Sequence, residues 1–261
     1  MNIVIVKIGG TIATDASVTE ELLRELHTLE KPVVLVHGGG RGVTETAARF
    51  GITSEFKDGV RITTPAEMPI VDMVLAGETN TALVRIAQRV GISAVGLTGA
   101  DTALLVGEQL FPGEDTRTAR VQQVHPEVLY TLIGGGILPV VATVASDESG
   151  HGVNINADEA AQAIAQRVGQ EHSVSLCYIS DTPGVLDAHG EIIPAIPLES
   201  IDSLIAGDVV QGGMAAKIRA CGAAVQAGVQ QVVIGTYRSS GDVAQLLSGT
   251  LGTVIQKGST G

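Results

Sequence analysis

Two glycine-rich segments and two lysines carry the residue types that phosphate or carboxylate chemistry requires. Lys7-Ile8-Gly9-Gly10-Thr11 and His37-Gly38-Gly39-Gly40-Arg41-Gly42 each follow a β-branched run directly. Glycines at strand ends let backbone N–H groups approach an anion closely, and the start of a following helix adds partial positive charge. An isolated glycine pair would serve equally well as a tight turn. Two of them in adjacent strand–helix units, one with a lysine at the strand end, favour anion binding. Further on, GVNINAD (Gly152 to Asp158) sets Asn154, Asn156 and Asp158 at an expected loop-to-helix junction, where amides and carboxylates also serve as plain caps. VVQGGMAAKIRA (Val209 to Ala220) places Lys217 in the first turns of a helix, where a lone lysine would be a solvated surface residue.

Several chemistries are excluded by the same segments. No GxxxxGK[ST] occurs, and HGGGRGV lacks the third glycine of GxGxxG, which sets aside a dinucleotide-binding oxidoreductase. HGGG also occurs in esterase oxyanion loops, but there is no GxSxG nucleophile elbow. The net charge of -12 argues against nucleic acid and anionic membrane as partners, because both reward clustered Lys and Arg. Any anionic ligand must then be held by local positive groups.

These groups have to be positioned by alternating elements. β-Branched runs expected as strands cover Ile3 to Ile8, Val33 to His37, Ala94 to Leu97, Leu138 to Val144, Val174 to Ser180 and Val232 to Thr236. Between the first two, SVTEELLRELHTL has Ser17 and Glu20 at capping-box spacing and one apolar face of Val18, Leu22, Leu26 and Leu29. Further helices are expected at Val43 to Phe50, Glu78 to Val90, Glu127 to Ile133, Asp158 to Val168 and Met214 to Ala227, closed in several cases by Gly51, Gly91, Gly169 or Gly228. Lys57-Asp58-Gly59-Val60 reads as a tight hairpin and Asp147 to Gly150 as another turn. The alternation predicts an α/β fold, a three-layer αβα sandwich around a mostly parallel central sheet. The 261 residues fit one domain, with two approximate lobes, 1–170 and 171–261, sharing one continuous sheet.

The hydrophobic fraction of 44% comes from aliphatic residues, with no Trp, which suits a sheet covered by helices. Cys177 and Cys221 lie in apolar surroundings without metal-type spacing and read as core thiols of a reducing compartment. The N-terminus has no cleavable signal and no apolar run reaches spanning length, so a cytoplasmic protein is expected.

In order along the chain, VKIGG, VVLVHGGG, GVRIT, MVLAGETN, AVGLTGAD, NINAD, ISDTPGVL and GGMAAK resemble the amino-acid kinase family, and among its members those that phosphorylate N-acetyl-L-glutamate with ATP in arginine biosynthesis. The resemblance spans essentially the whole chain. It implies that Lys7 and Lys217 contact the phosphoryl group in flight and that Asp158 holds the two ammonium groups. It implies that Gly10, Gly39 and Gly40 offer N–H groups to the transferred phosphate and the acceptor. Arg61 would grip the acceptor's other carboxylate through its planar fork, and Asn154, with Asn156 nearby, would bind the acylated amino acid. Ser180, Asp181, Thr182, Gly184, Val185 and Leu186, with Val209, Val210, Gln211, Gly213 and Met214, would form the nucleotide site. On this likeness residues 1–170 bind acceptor and dimerise, and 171–261 bind nucleotide.

Mg²⁺ would enter as the nucleotide's counter-ion, and no dedicated metal cage is visible in the sequence. Thr102 to His125 departs from the pattern where a hairpin flanks the acceptor. The C-terminal segment lacks the pattern of arginine-inhibited relatives, and the chain begins almost on its first strand, so a homodimer without arginine feedback is expected. One rival is a kinase for an aminoadipate or glutamate residue displayed by an acidic carrier protein, which the charge of -12 disfavours. Another is a non-catalytic metabolite-binding protein on the same fold, which would not need both lysines and Asp158.

Overall fold

The computed structural model describes residues 1–258; the last three residues of the expected 1–261 domain lie outside the described residues. Its strands are β1 (Asn2–Ile8), β2 (Val33–His37), β3 (Glu55–Lys57), β4 (Val60–Ile62), β5 (Ala94–Thr98), β6 (Leu105–Gln109), β7 (Thr118–Val124), β8 (Leu138–Ala142), β9 (Val144–Asp147), β10 (Gly152–Ile155), β11 (Ser173–Ile179), β12 (Ala195–Pro197), β13 (Gln231–Gly235) and β14 (Thr253–Gln256). Its α-helices are α1 (Gly10–Thr14), α2 (Ala16–Thr28), α3 (Gly40–Arg49), α4 (Met68–Asp72), α5 (Asn80–Arg89), α6 (Glu127–Gly134), α7 (Ala157–Gly169), α8 (Ile201–Ala206), α9 (Gly212–Gln226) and α10 (Asp242–Ser248).

Eight strands form one sheet in the order β12-β14-β13-β11-β1-β2-β8-β5, parallel except where β13 meets β14. The alternation of β1 explains the layering. Ile3 and Ile5 face the side covered by α7 and α9, whereas Val4, Val6 and Ile8 face α2 and α5. Lys7 falls in phase with Ile3 and Ile5. Each fully buried aliphatic side chain contributes about 1.5–3 kcal/mol, so a lysine in this row needs a partner to offset its desolvation. The candidate site supplies one.

Most elements start or end within one to three residues of the ranges expected from the sequence, and four further departures each have a local reason. The cap of α2 is Asp15, whose Oδ1 accepts from the N–H of Ser17 at 3.0 Å and of Val18 at 3.1 Å; Ser17 is not the cap, because the chain turns into α2 through the short α1. The run Leu138 to Val144 is two strands, since the chain leaves the large sheet at Thr143 and β9 joins a closed four-stranded barrel with β6, β7 and β10. The helix expected from Glu78 follows a π-helical segment, Met73–Thr79, continuous with α4 and α5. Such a bulge shifts the phase of side chains and blurs a 3.6-residue period. Finally, Gly51, Gly91 and Gly228 take positive φ after their helices, but Gly169 remains the last helical residue of α7.

The hairpin at Asp58-Gly59 forms with φ of 51° and 80°, the double positive φ of a type I′ turn joining β3 to β4. The divergent stretch Thr102 to His125 also builds a hairpin, β6 against β7.

Candidate active site

Lys7, Asp158 and Lys217 come from β1, α7 and α9 and meet at the carboxyl end of the sheet. Lys7 Nζ lies 2.7 Å from Asp158 Oδ1 and Lys217 Nζ 3.1 Å from Asp158 Oδ2. Burial alone would push the Asp158 carboxyl up, but the two ammonium groups outweigh it and hold it below the usual carboxylate range. The carboxylate is therefore ionised at neutral pH with both oxygens committed to cations. Two positive charges that would otherwise repel are fixed side by side, leaving one net positive charge.

A cavity of about 470 Å³ opens beside this trio, a size suited to a small metabolite. Lys7, Asp158, Gly10, Gly38 to Gly40, Arg61, Asn154 and Asn156 line it. The two glycine loops touch there: a Cβ built on Gly10 would stand 3.8 Å from Gly39 Cα. A Cβ on Gly39 would sit 2.7 Å from Leu75 Cδ2 in the π-helical segment, so any side chain there would force Leu75 to shift. Gly40 opens α3, so N–H groups of that first turn border the cavity.

His37, at the root of the second loop, is fully buried. Its Nδ1 lies 2.9 Å from Gly38 O and its Nε2 3.0 Å from Asn80 Nδ2. The carbonyl can only accept, so Nδ1 carries the proton and Nε2 accepts from Asn80. Asn80 in turn donates to Val140 O at 2.8 Å, tying the loop to β8. Burial pushes the imidazole from 6.5 down to about 4, although the Gly38 bond favours the protonated form. Unfolded, this histidine binds a proton as pH falls below about 6.5; folded, it does not. Stability is therefore lost progressively on acidification between roughly pH 6.5 and 4. The urea midpoint is expected to fall more steeply across that window in the wild type than in His37→Gln. Equal slopes would show that this histidine is not the source.

Arg61 is buried, and its donors are largely used. Nη1 donates to Glu67 Oε1 at 2.7 Å, while Nη2 donates to Gly40 O and Thr44 Oγ1, each at 2.7 Å. Phe56 stacks on the guanidinium with 4.8 Å from Cζ to ring centroid. Both bidentate edges of a guanidinium include Nη2. A carboxylate gripped there must displace Thr44 or the Gly40 carbonyl, so the planar fork that the resemblance assigns to the acceptor is already engaged within the chain. The main chain of Arg61 is fastened from the divergent hairpin, where Thr118 Oγ1 donates to Arg61 O at 2.8 Å and accepts from Thr63 N at 2.8 Å.

Asn154 Nδ2 donates to Thr63 Oγ1 at 2.9 Å, which aims its amide along the cavity wall. Asn156 Oδ1 accepts from Asp158 N at 2.8 Å and Glu159 N, so its side chain caps α7 and holds Asp158 at the first turn. Glu67, Thr44, Thr118, Phe56, His37 and Asn80 carried no assigned role in the sequence reading. Of these, His37 and Asn80 lie inside quoted motifs, and only the fold pairs them.

The residues expected at a nucleotide site do not line this cavity. Ser180, Asp181 and Thr182 begin the loop after β11, while Gly213 and Met214 lie in the first turn of α9, two turns or less before Lys217. Val185 and Val210 are buried in the core beneath them, so their side chains support that surface. Gly184 is packed tightly, since a Cβ there would meet Thr253 Oγ1 at 2.8 Å. Leu186 is partly exposed and pairs with Ile192. Val209 and Gln211 lie in the turn entering α9. No cluster of three or more metal-binding side chains occurs among the described residues, and none of their helices is long and apolar enough to cross a membrane.

The sequence profile of the amino acid kinase family matches residues 2–236. Acetylglutamate kinase of Sulfurovum sp. is 34% identical over 260 residues, covering 97% of the chain and 91% of the relative. Acetylglutamate kinase of Chloroflexus aurantiacus is 37% identical over 233 residues, covering 88% and 90%. Among solved structures, a Streptococcus mutans protein superposes with a TM-score of 0.80 at 23% identity over 98% of the chain and 99% of its own. N-acetylglutamate synthase from Neisseria gonorrhoeae, complexed with coenzyme A and N-acetyl-glutamate, gives 0.83 at 18% identity, with 60% of its length covered. At these identities the superpositions speak for the fold.

Proposed function

Because the chain belongs to the amino acid kinase family, we propose that it transfers the γ-phosphoryl group of ATP to the side-chain carboxylate of N-acetyl-L-glutamate, giving an acyl phosphate and ADP. It is an ATP-dependent carboxylate phosphotransferase of arginine biosynthesis. The observation that carries the reading is the Lys7–Asp158–Lys217 arrangement beside a metabolite-sized cavity.

The chemistry asks an anionic carboxylate to approach an anionic phosphate, so the protein's work is electrostatic. At about 4 Å and an effective dielectric near 20, two unit charges interact by roughly 4 kcal/mol. In this reading Lys7 and Lys217 flank the phosphoryl group and offset a repulsion of that order. Asp158 sets their spacing and takes no proton. The acceptor carboxylate is already ionised near neutral pH, so no general base is required. Gly10, Gly39 and Gly40 direct N–H groups at the phosphate and acceptor, Asn154 binds the acetylated nitrogen's side, and Asn156 acts through the cap it makes on α7. Ser180 to Leu186 and the entry to α9, including Met214, form the adenine nucleotide surface. Mg²⁺ accompanies the nucleotide and is held by phosphates and water. Both Asp158 oxygens are paired with lysines and so are not open to the ion.

Arg61 binds the acceptor's remaining carboxylate by exchanging one of its Nη2 partners. Lysine cannot reproduce a planar contact. Arg61→Lys is expected to raise the KM for N-acetyl-L-glutamate about tenfold or more, with the KM for ATP little changed, as follows from losing a charge-assisted pair. An unchanged acceptor KM would remove Arg61 from the pocket.

A coupled ADP-release assay across N-acetyl-L-glutamate, glutamate, aspartate and a carrier-bound acid, with hydroxylamine trapping of the acyl phosphate, tests the reading. Turnover with another acid alone, or none at all, would sink it. The homodimer and the cytoplasmic address belong to the same reading, and the two buried free thiols, Cys177 and Cys221, fit a reducing compartment. Light scattering on the purified protein is expected to give twice the chain mass; a monomer or hexamer would refute the dimer.

A further inference from the structure

Tyr178 is fully buried at the carboxyl end of β11, in register with Lys7 on β1, so both side chains rise from the same face of the sheet. Its ring lies under the ammonium of Lys217, with Nζ 4.9 Å from the centroid. Its hydroxyl donates to the main-chain carbonyl of Asp158 at 3.1 Å. One rigid side chain thus borders all three members of the charged trio, although they come from three separate elements.

Lys217 needs such support. Its long side chain has many rotamers, and its one hydrogen bond to Asp158, at 3.1 Å, is longer than the 2.7 Å contact of Lys7. The π face of an aromatic ring attracts an ammonium group and leaves its N–H donors free for an incoming anion. An aliphatic residue at 178 would fill the core equally well without this attraction. A tyrosine also demands a partner for its buried hydroxyl, and here that partner is the backbone of Asp158.

We propose that Tyr178 is the positioning residue of Lys217: the ring holds the ammonium beside Asp158 and the hydroxyl fixes the first turn of α7, so the lysine is oriented before nucleotide arrives. The inference deepens the proposed function and rests on its assignment of Lys217 to the transferred phosphate. The hydroxyl takes no part as acid or base, because burial drives its pKa well above the ordinary tyrosine value.

The test replaces Tyr178 with phenylalanine and then with mono-, di- and trifluorinated phenylalanine, which drain the ring face of negative potential at nearly constant volume. Expected is a stepwise fall in kcat, reaching on the order of tenfold between the phenylalanine and trifluoro variants, the size a partly desolvated cation–π contact supports. The KM for N-acetyl-L-glutamate and the melting temperature should stay level through the series. A flat kcat, or a loss that tracks melting temperature, would leave Tyr178 as packing only and overturn the proposal.

A second readout needs no turnover. The chain has five lysines, so lysine-selective ¹³C labelling resolves each ε-methylene, with Lys217→Arg assigning the one of interest. In the wild type the Lys217 ε-protons should be shifted upfield by the ring, and Tyr178→Leu should abolish the shift. An unshifted wild-type resonance overturns the proposal. Absence of ADP release from the wild type would instead sink the proposed function, while the resonance still decides on Tyr178.

Discussion

Replacing Lys217 with alanine is expected to lower kcat by about 10²–10³-fold while leaving the KM for ATP within a few-fold, the loss seen when one preorganised charge donor to a transition state is removed. The argument begins with what the lysine does at rest. Its ammonium sits 3.1 Å from Asp158 Oδ2, opposite Lys7 at 2.7 Å from Oδ1, and on the proposed function it flanks the group in transfer. An interaction that strengthens only as charge develops between donor and acceptor lowers the barrier without tightening the ground state, so its removal registers in kcat. The fold should survive, because Lys7 remains paired with Asp158 and the Lys217 side chain is 22% exposed. Steady-state kinetics with both substrates, alongside a thermal melt, check the prediction. Turnover within a few-fold of wild type would remove Lys217 from the reaction.

How much of this site could be read from the sequence depends on the range of the signal. β1 and β2 announce themselves because four successive aliphatic residues make a strand buried on both faces, and the glycines after them follow in the next few positions. Lys7, Asp158 and Lys217 became a set only through likeness to a family, since nothing in their spacing predicts that residues 59 positions apart share a carboxylate. The resemblance also could not show that Arg61 holds Glu67, Thr44 and Gly40 at once. That network joins β4, α3 and the turn before α4, and a buried glutamate has no local signature that separates it from a surface one. The π-helical segment hid the pairing of Asn80 with His37, because it rotates Asn80 out of an ordinary helical phase. Tyr178 was hidden differently. In a strand it reads as one more apolar residue, and its neighbours Lys7 and Lys217 appear only once β1, β11 and α9 are assembled.

The buried pair of Arg61 and Glu67 yields the second large expected effect, this time on stability. Arg61 is 8% exposed and Glu67 1%, and Glu67 Oε1 also accepts from Ser54 Oγ at 2.6 Å. Removing the acid leaves a guanidinium buried without a counter-charge, which costs about 3–5 kcal/mol in comparable cases. The lower end applies here, because Gly40 O and Thr44 Oγ1 still accept from Nη2. Glu67→Ala should therefore destabilise by about 3 kcal/mol and lower Tm by roughly 6–12 °C at this chain length. The double variant Arg61→Met, Glu67→Met removes both charges and fills the space. It should be more stable than the single variant, since the desolvation cost of an unpaired ion disappears with the ion. The two variants also separate stability from binding. Neither should bind N-acetyl-L-glutamate normally, the single because Arg61 loses its anchor and the double because it loses Arg61, yet their melting temperatures should differ by several degrees. A single variant as stable as wild type, or a double variant less stable than the single, would mean that Glu67 does not hold Arg61 in place and that the acceptor side of the cavity is organised by the Thr118 hairpin instead.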